Sequence, residues 1–276
     1  MGIDGKNIFI TPNYTTMNLH LQNKVFIVTG GASGIGAAIC RLIAAEEGIP
    51  VIVDRNAVQN DAILQELQQT GRQAMAVQAE LTNEADCKAI IDRTIATYGR
   101  IDGLVNNAGV NDGVSLENGT VEGFNRSLDV SLVHYFAMAH YAVSHLKKTK
   151  GCIVNIGSKV SVTGQGNTSG YAASKGAINA LAREWAAELL PYGIRINTVV
   201  PAEVSTPQYE TWIQKQPNPT EKLQQIISRI PLGKRFTTPE EIANTVVFLL
   251  SDVSSHTTGQ IIFVDGGYTH LDRSLT

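Results

Sequence analysis

Residues 25–40 read VFIVTGGASGIGAAIC: a β-branched and apolar run, then a glycine cluster, then small and apolar residues. The first part reads as a buried strand. The last part opens a helix whose apolar positions Ile35, Ile39, Leu42 and Ile43 follow the i, i+4, i+7, i+8 spacing. A strand that turns through glycines directly into a helix aims backbone N–H groups and the positive end of the helix dipole at one place, as a phosphate requires. Two kinds of loop have this form. Gly31 and Gly36 have the outer spacing of a nucleoside-triphosphate loop, but Ala37 and Ala38 stand where that loop needs lysine and then Ser or Thr. Gly30, Gly34 and Gly36, with Ser33 and Ile35 between them, fit a dinucleotide loop instead. A glycine-rich turn without a ligand is the remaining alternative.

The next apolar run, PVIVD at 50–54, ends in Asp54, about twenty residues past the glycines, where a carboxylate would hold the adenosine ribose hydroxyls. A carboxylate there repels a 2′-phosphate and favours NAD. Arg55 follows at once and would stack on adenine or attract that phosphate, so NADP stays possible; Asp at a strand end is also a common turn residue.

The same alternation continues along the chain. Strands are expected at 24–30, 50–54, 73–78, 102–107, 152–158, 195–201 and 261–267, short and nearly continuous in apolar character, as strands buried on both faces are. Amphipathic helices lie between them, one starting at Thr82 before NEAD and another at TTPEE, 237–241, with Pro239 near its first position. Alternating βαβ units imply an α/β fold: a single-domain, Rossmann-like, doubly wound parallel sheet with helices on both faces. The domain is expected over 19–276, after a polar N-terminal arm at 1–18 in which Met17 offers an alternative start. Residues 202–236, with Pro207, Pro217, Pro219 and Pro231, break the rhythm and suit a lid over a site.

Composition narrows the class. The chain has 276 residues, 43% hydrophobic and 17% charged, and a formal net charge of −3. That describes an ordinary globular protein without the basic footprint of a nucleic-acid or anionic-membrane binder. Cys40, Cys87 and Cys152 are widely spaced in apolar contexts, which gives neither a disulfide framework nor a metal site. No stretch is long and apolar enough to span a bilayer, and MGIDGKNIFITPNYTTMN has neither the basic start nor the apolar core of a signal peptide. A cytoplasmic protein is expected.

Tyr171 and Lys175, in SGYAASKGAINALAREWAA at 169–187, project from one helix face, one turn apart. Alone, the pair is an ordinary contact. In order along the chain, however, stand TGGASGIG at 29–36, NNAG at 106–109, Ser158 thirteen residues before Tyr171, YAASK at 171–175, PAEVSTP at 201–207 and the closing FVDGGY. This set resembles the short-chain dehydrogenase/reductase family over essentially everything from Leu19 onward. The longer runs NNAGVNDG, VTGQGNTSGY, VVPAEVSTP and GGYTHLDR are similar to bacterial L-fucose dehydrogenases of that family. The resemblance implies that Tyr171 is a general acid/base, Lys175 its partner and a ligand of the nicotinamide ribose, and Ser158 the hydroxyl that holds the reacting oxygen. A free phenol has a pKa of about 10, so an ammonium and a positive nicotinamide beside it are expected to make it more acidic. Independently, Gly30, Asp54, Asn106, Ser158 and Pro201 all fall at or just past the carboxyl ends of expected strands, the edge where open parallel sheets bind ligands.

By the same resemblance Glu80 and Leu81 flank adenine, and Asn107, Ala108 and Gly109 flank the ribose. Pro201, Val204 and Thr206 serve the carboxamide. The family's usual glycine after that proline is Ala202 here. In the fourth helix, FNRSLDVSLVHYF, Ser131 stands where the family has an asparagine that holds a water in a proton relay; Ser131 is expected to share in that relay, with His134 one turn on. Lys159, Gln165, Asn167, Glu203 and Asn111 supply hydrogen-bonding groups suited to a polyhydroxylated substrate, though each is also an ordinary solvated loop residue. The expected reaction is NAD-dependent oxidation of the anomeric hydroxyl of L-fucose or a similar aldose to the lactone. A 3-oxoacyl or small-alcohol oxidoreductase, or an NAD-binding protein without turnover, is the alternative. The family resemblance implies a homotetramer paired through the fourth and fifth long helices, and the C-terminal GGYTHLDRSLT could reach a neighbouring subunit.

Overall fold

Val25–Thr29 (β1), Ile49–Asp54 (β2), Met75–Gln78 (β3), Gly103–Asn106 (β4), Cys152–Ile156 (β5), Arg195–Pro201 (β6) and Ile261–Val264 (β7) form one parallel sheet in the order β3-β2-β1-β4-β5-β6-β7. The structure, a computed structural model, describes residues 18–271. The arm expected at 1–18, all but Asn18, lies outside the described residues, as do the alternative start at Met17 and the C-terminal run beyond Leu271. Every expected strand is present; β6 has the expected bounds, β2 starts one residue earlier, and the others are shorter by two or three residues.

The helices are Gly34–Ala45 (α1), Ala57–Gln69 (α2), Glu84–Tyr98 (α3), Val121–Leu128 (α4), His134–Thr149 (α5), Ser169–Leu189 (α6), Pro207–Gln214 (α7), Pro219–Ser228 (α8) and Pro239–Leu250 (α9). Strand side chains alternate between two apolar layers. Val25, Ile27 and Leu104 face a layer with Cys87, Tyr135, Met138, Ile178 and Trp185, from α3, α5 and α6. Phe26, Val28 and Val105 face the other, with Ile39, Ile63 and Val246, from α1, α2 and α9. The result is a single-domain doubly wound sheet. Ile27 is fully buried, so Ile27→Ala would cost about 2–5 kcal/mol. Cys40, Cys87 and Cys152 are free and buried, and burial pushes the Cys87 and Cys152 thiols up to about 11. Among the described residues no helix is long and apolar enough to cross a membrane.

Strand order reverses at β1, which has β2 on one side and β4 on the other. Crossovers leave this point in opposite directions, opening a crevice at the carboxyl ends of β1 and β4. The site lies there.

Two local features differ from the sequence reading, and a third adds detail to it. The fourth helix is not continuous: α4 passes through a π turn, Asp129–Val133, before α5 begins. Such a turn holds an extra residue, and Ser131 sits in it. The cap of α3 is Asn83 rather than Thr82, because the Asn83 side chain accepts from Ala85 N at 3.1 Å. Within 202–236 the prolines start two short helices, α7 and α8. The two ends of that segment are tied together, Ser205 N donating to Thr237 O and Thr237 N to Glu203 O, both at 3.0 Å.

Candidate active site

The crevice is a cleft of about 750 Å³, within the usual range for a small-molecule or cofactor site. Its floor is the glycine loop. Gly30 has φ +63°, and a Cβ on Gly36 would stand 2.0 Å from Gly30 O, so no side chain fits where α1 meets the loop. Asn107, just past β4, clips the loop down: its Nδ2 donates to Thr29 O at 2.9 Å and Gly30 O at 3.2 Å, and its N–H to Thr29 Oγ1 at 2.9 Å. Ser33 precedes α1 in extended backbone and makes no side-chain cap bond. The first N–H groups of α1 are thus left for another acceptor beside Ser33, Gly34 and Ile35, which line the cleft. A pyrophosphate fits this cradle, which pairs close backbone approach with uncapped donors at a helix start.

Asp54, Arg55, Glu80 and Leu81 line one end. Asp54 Oδ1 accepts from Asn56 N at 3.0 Å, which fixes the carboxylate at the tip of β2. Arg55 and Glu80 lie 4.0 Å apart and are well exposed, a contact worth little. Glu80 instead accepts from Thr82 Oγ1 at 3.1 Å.

At the other end β5 and α6 bring three side chains together. Tyr171 and Lys175 share the cleft-facing side of α6, and Ser158, just past β5, lines the same end of the cleft. Lys175 is 2% exposed, and its Nζ donates to Ile156 O at 2.8 Å and Tyr135 Oη at 3.1 Å. Burial pushes Lys175 down to about 7. The expectation of an acidic phenol does not hold for the chain by itself. Burial pushes Tyr171 up to about 12, against the opposing pull of the Ser158 hydroxyl. An amine that burial holds near neutrality is a weak source of positive charge at pH 7.

Ser131 is fully buried, its Oγ donating to Val110 O at 3.0 Å and accepting from Val110 N at 3.2 Å. It latches the π turn to the loop after β4. A Cβ on Gly109 would lie 3.6 Å from Lys175 Nζ and 3.7 Å from Ser131 Oγ, so the two groups flank that glycine. His134 lines the cleft, with Nε2 on Val130 O at 3.2 Å and Nδ1 buried with no hydrogen-bond partner among the described residues. Burial pushes His134 down to about 4, and it is neutral.

Residues 30–269 match the family model described as Enoyl-(Acyl carrier protein) reductase. The chain belongs to the short-chain dehydrogenase/reductase family. It is 36% identical over 251 residues to a 3-oxoacyl-(acyl-carrier-protein) reductase of Thermotoga maritima, covering 90% of this chain and 99% of that one. It is 33% identical to the L-fucose dehydrogenase of Bos taurus, with 91% of each chain covered. The solved Cj0485 dehydrogenase superposes with a TM-score of 0.89 at 45% identity, over 94% of this chain and 99% of the other. Family members act as NAD(P)-dependent oxidoreductases on small molecules.

The remaining expected positions of this dehydrogenase/reductase divide. Asn107, Ala108, Gly109, Pro201, Val204 and Thr206 line the cleft, Thr206 also capping α7 by accepting from Tyr209 N at 3.2 Å. Asn111, Lys159, Gln165, Asn167 and Glu203 are not among the lining residues. Asn111, Gln165 and Asn167 are exposed. Lys159 and Glu203 pair with each other just behind the wall, with Lys159 Nζ 4.1 Å from the centre of the Tyr268 ring. Tyr209 lines the cleft, and burial first and the Glu203 carboxylate second push its phenol up. The sequence reading missed Tyr209, Arg126 and Tyr135. Tyr135 had one visible signal, a hydroxyl on the apolar stripe of a core-facing helix.

Proposed function

We propose that this protein oxidises the anomeric hydroxyl of L-fucose or a similar aldose to the lactone, with NAD as the preferred acceptor and NADP as the lesser one. The observation that carries the reading is that Ser158, Tyr171 and buried Lys175 line one end of a cleft whose other end is a phosphate cradle. When bound, the nicotinamide cofactor supplies the acceptor for the two electrons and hydrogen leaving the anomeric carbon. The protein handles the proton. Ser158 donates a hydrogen bond to the substrate oxygen and holds the hydroxyl against Tyr171. Tyr171 takes the hydroxyl proton as the carbon–oxygen double bond forms. Lys175 holds the cofactor ribose and, when protonated, favours the phenolate. Gly30, Ser33, Gly34, Ile35 and Gly36 take the pyrophosphate, Asp54 the adenosine ribose, and Asn107, Ala108, Gly109, Val204 and Thr206 the nicotinamide half.

The Lys159–Glu203 pair, with Tyr209 in front of it, supports a polar rather than acyl-binding wall. The segment 202–236 acts as a lid hinged at its tied ends, and Asn111, Gln165 and Asn167, on exposed loops outside it, offer polar groups to the sugar. A second reading has its own support in the similarity to the Thermotoga maritima reductase: the same machinery working on a 3-oxoacyl thioester or small ketone. A substrate panel with both cofactors, followed by NADH or NADPH absorbance, separates the two. Turnover of L-fucose-like aldoses with NAD supports the first reading, whereas turnover of acyl thioesters or simple ketones alone supports the second. We infer a homotetramer paired through α5 and α6, where Phe136 on α5 and Val133, the last residue of the π turn before it, are half exposed. Phe136→Glu should then lower the mass seen by light scattering, and an unchanged mass would exclude that face.

A further inference from the structure

Tyr135 is the largest fully buried side chain among the described residues, and its hydroxyl meets the one amine on which the proposed chemistry depends. The Tyr135 oxygen accepts from Lys175 Nζ at 3.1 Å and donates to Ile156 O at 3.1 Å. Lys175 Nζ donates to that same carbonyl at 2.8 Å. The three groups close a triangle fixed at both corners away from the lysine: Ile156 ends β5, and Tyr135 is fully buried in the core layer that α3, α5 and α6 form with the sheet.

A lysine stem is long and flexible, and its ammonium has three hydrogens to place. The triangle takes two of them. The third is left for the cleft, which Lys175 lines together with Tyr171. We propose that Tyr135 is the positioning residue of Lys175, its hydroxyl and the Ile156 carbonyl together aiming the amine at Tyr171 and the cofactor ribose. This rests on the assignment of Tyr171 and Lys175 given above. The hydroxyl has a second consequence. A neutral acceptor stabilises the ammonium over the free amine, and opposes the burial that pulls Lys175 down to about 7. The ionisable groups facing this amine are Tyr171 on α6 and Tyr135 and His134 on α5, while Glu80, after β3, acts on His134. His134 is neutral, so Tyr135 and Ile156 O are the groups that favour the charged lysine.

The test is Tyr135→Phe, which removes one oxygen and leaves Ile156 O bonded to Lys175. With 13Cε-labelled lysine, the NMR titration midpoint of Lys175 in the full-length protein is expected to fall by about one pH unit. Near neutral pH, kcat should fall on the order of tenfold with little change in KM for the sugar. A purely structural tyrosine would lower the melting temperature and move neither. An unchanged midpoint, or a kcat within about twofold of the parent, overturns the inference. If Tyr135→Phe does not fold, 3-fluorotyrosine at 135 keeps the hydroxyl as a weaker acceptor, and the midpoint should move the same way by less; no movement overturns the inference. Tyr171→Phe, run in parallel, separates the two levels. Retained turnover there removes the reading of the site itself, whereas lost turnover with a parent-like Tyr135→Phe removes only the positioning role.

Discussion

Lys175 Nζ lies 5.5 Å from the centre of the Tyr171 ring and gives its hydrogen bonds to Tyr135 and Ile156, not to the phenol. The phenol itself is pushed up to about 12 by burial, so the chain alone is not poised to remove a proton at pH 7. The missing positive charge has to arrive with the oxidised cofactor. Phenolate absorbance, taken as the difference between parent and Tyr171→Phe, should therefore appear only near pH 12 without cofactor. Saturating NAD should move it down by at least about two pH units, and neutral NADH much less. Equal titrations with and without NAD would contradict this.

Ser131 joins the π turn to Val110 by two hydrogen bonds that a shortened side chain cannot make. Ser131→Ala removes both hydrogen bonds to the Val110 backbone and, at about 0.5–1.5 kcal/mol each, should cost about 1–3 kcal/mol, read by denaturant unfolding. Ser131→Asn keeps a donor and an acceptor and should leave turnover unchanged or raise it. A large fall in turnover with intact folding would show that the serine itself is needed.

Lys159 and Glu203, just past β5 and β6, are 9% and 13% exposed at their side chains. Glu203→Gln strands the ammonium and should destabilise the fold by about 3–5 kcal/mol, while Lys159→Met with Glu203→Leu should recover most of that loss. Equal stability of parent and Glu203→Gln, measured by thermal unfolding, would show that the pair does not hold the wall.

These contacts mark where sequence reading stops. The strands were legible because short, unbroken apolar runs such as VFIVT and VIVD fit only a sheet covered on both faces, and the placing of Gly30, Asp54, Ser158 and Pro201 on one rim follows from strand order alone. The Lys159–Glu203 pair joins residues 44 apart in sequence through the β5–β6 neighbourhood, so both read as independent sugar ligands. The π turn was hidden because the apolar stripe of 124–136 tolerates one extra residue without a break. The opposing effect of burial on Tyr171 was not legible, because burial leaves no mark at the Tyr-x-x-x-Lys spacing. Asn83 and Thr82 are both good caps, and only the Asn83–Ala85 bond decides between them.

His134 is buried and neutral, with its pKa lowered from the ordinary 6.5 to about 4 by burial. The folded state resists a proton that the unfolded chain accepts, so between these values the unfolded chain binds more protons and stability falls as pH drops. The melting temperature should decline from pH 6.5 toward pH 4, and His134→Gln should flatten that decline. An identical pH dependence in the variant would remove His134 as its source.

The central claim, that the Tyr171 oxygen removes the substrate proton, is tested most directly by the rate of NAD reduction in Tyr171→Phe with the best aldose of the panel. The rate should fall by about 10²–10⁴-fold, with NADH affinity and melting temperature close to the parent's. A near-parental rate would contradict the account.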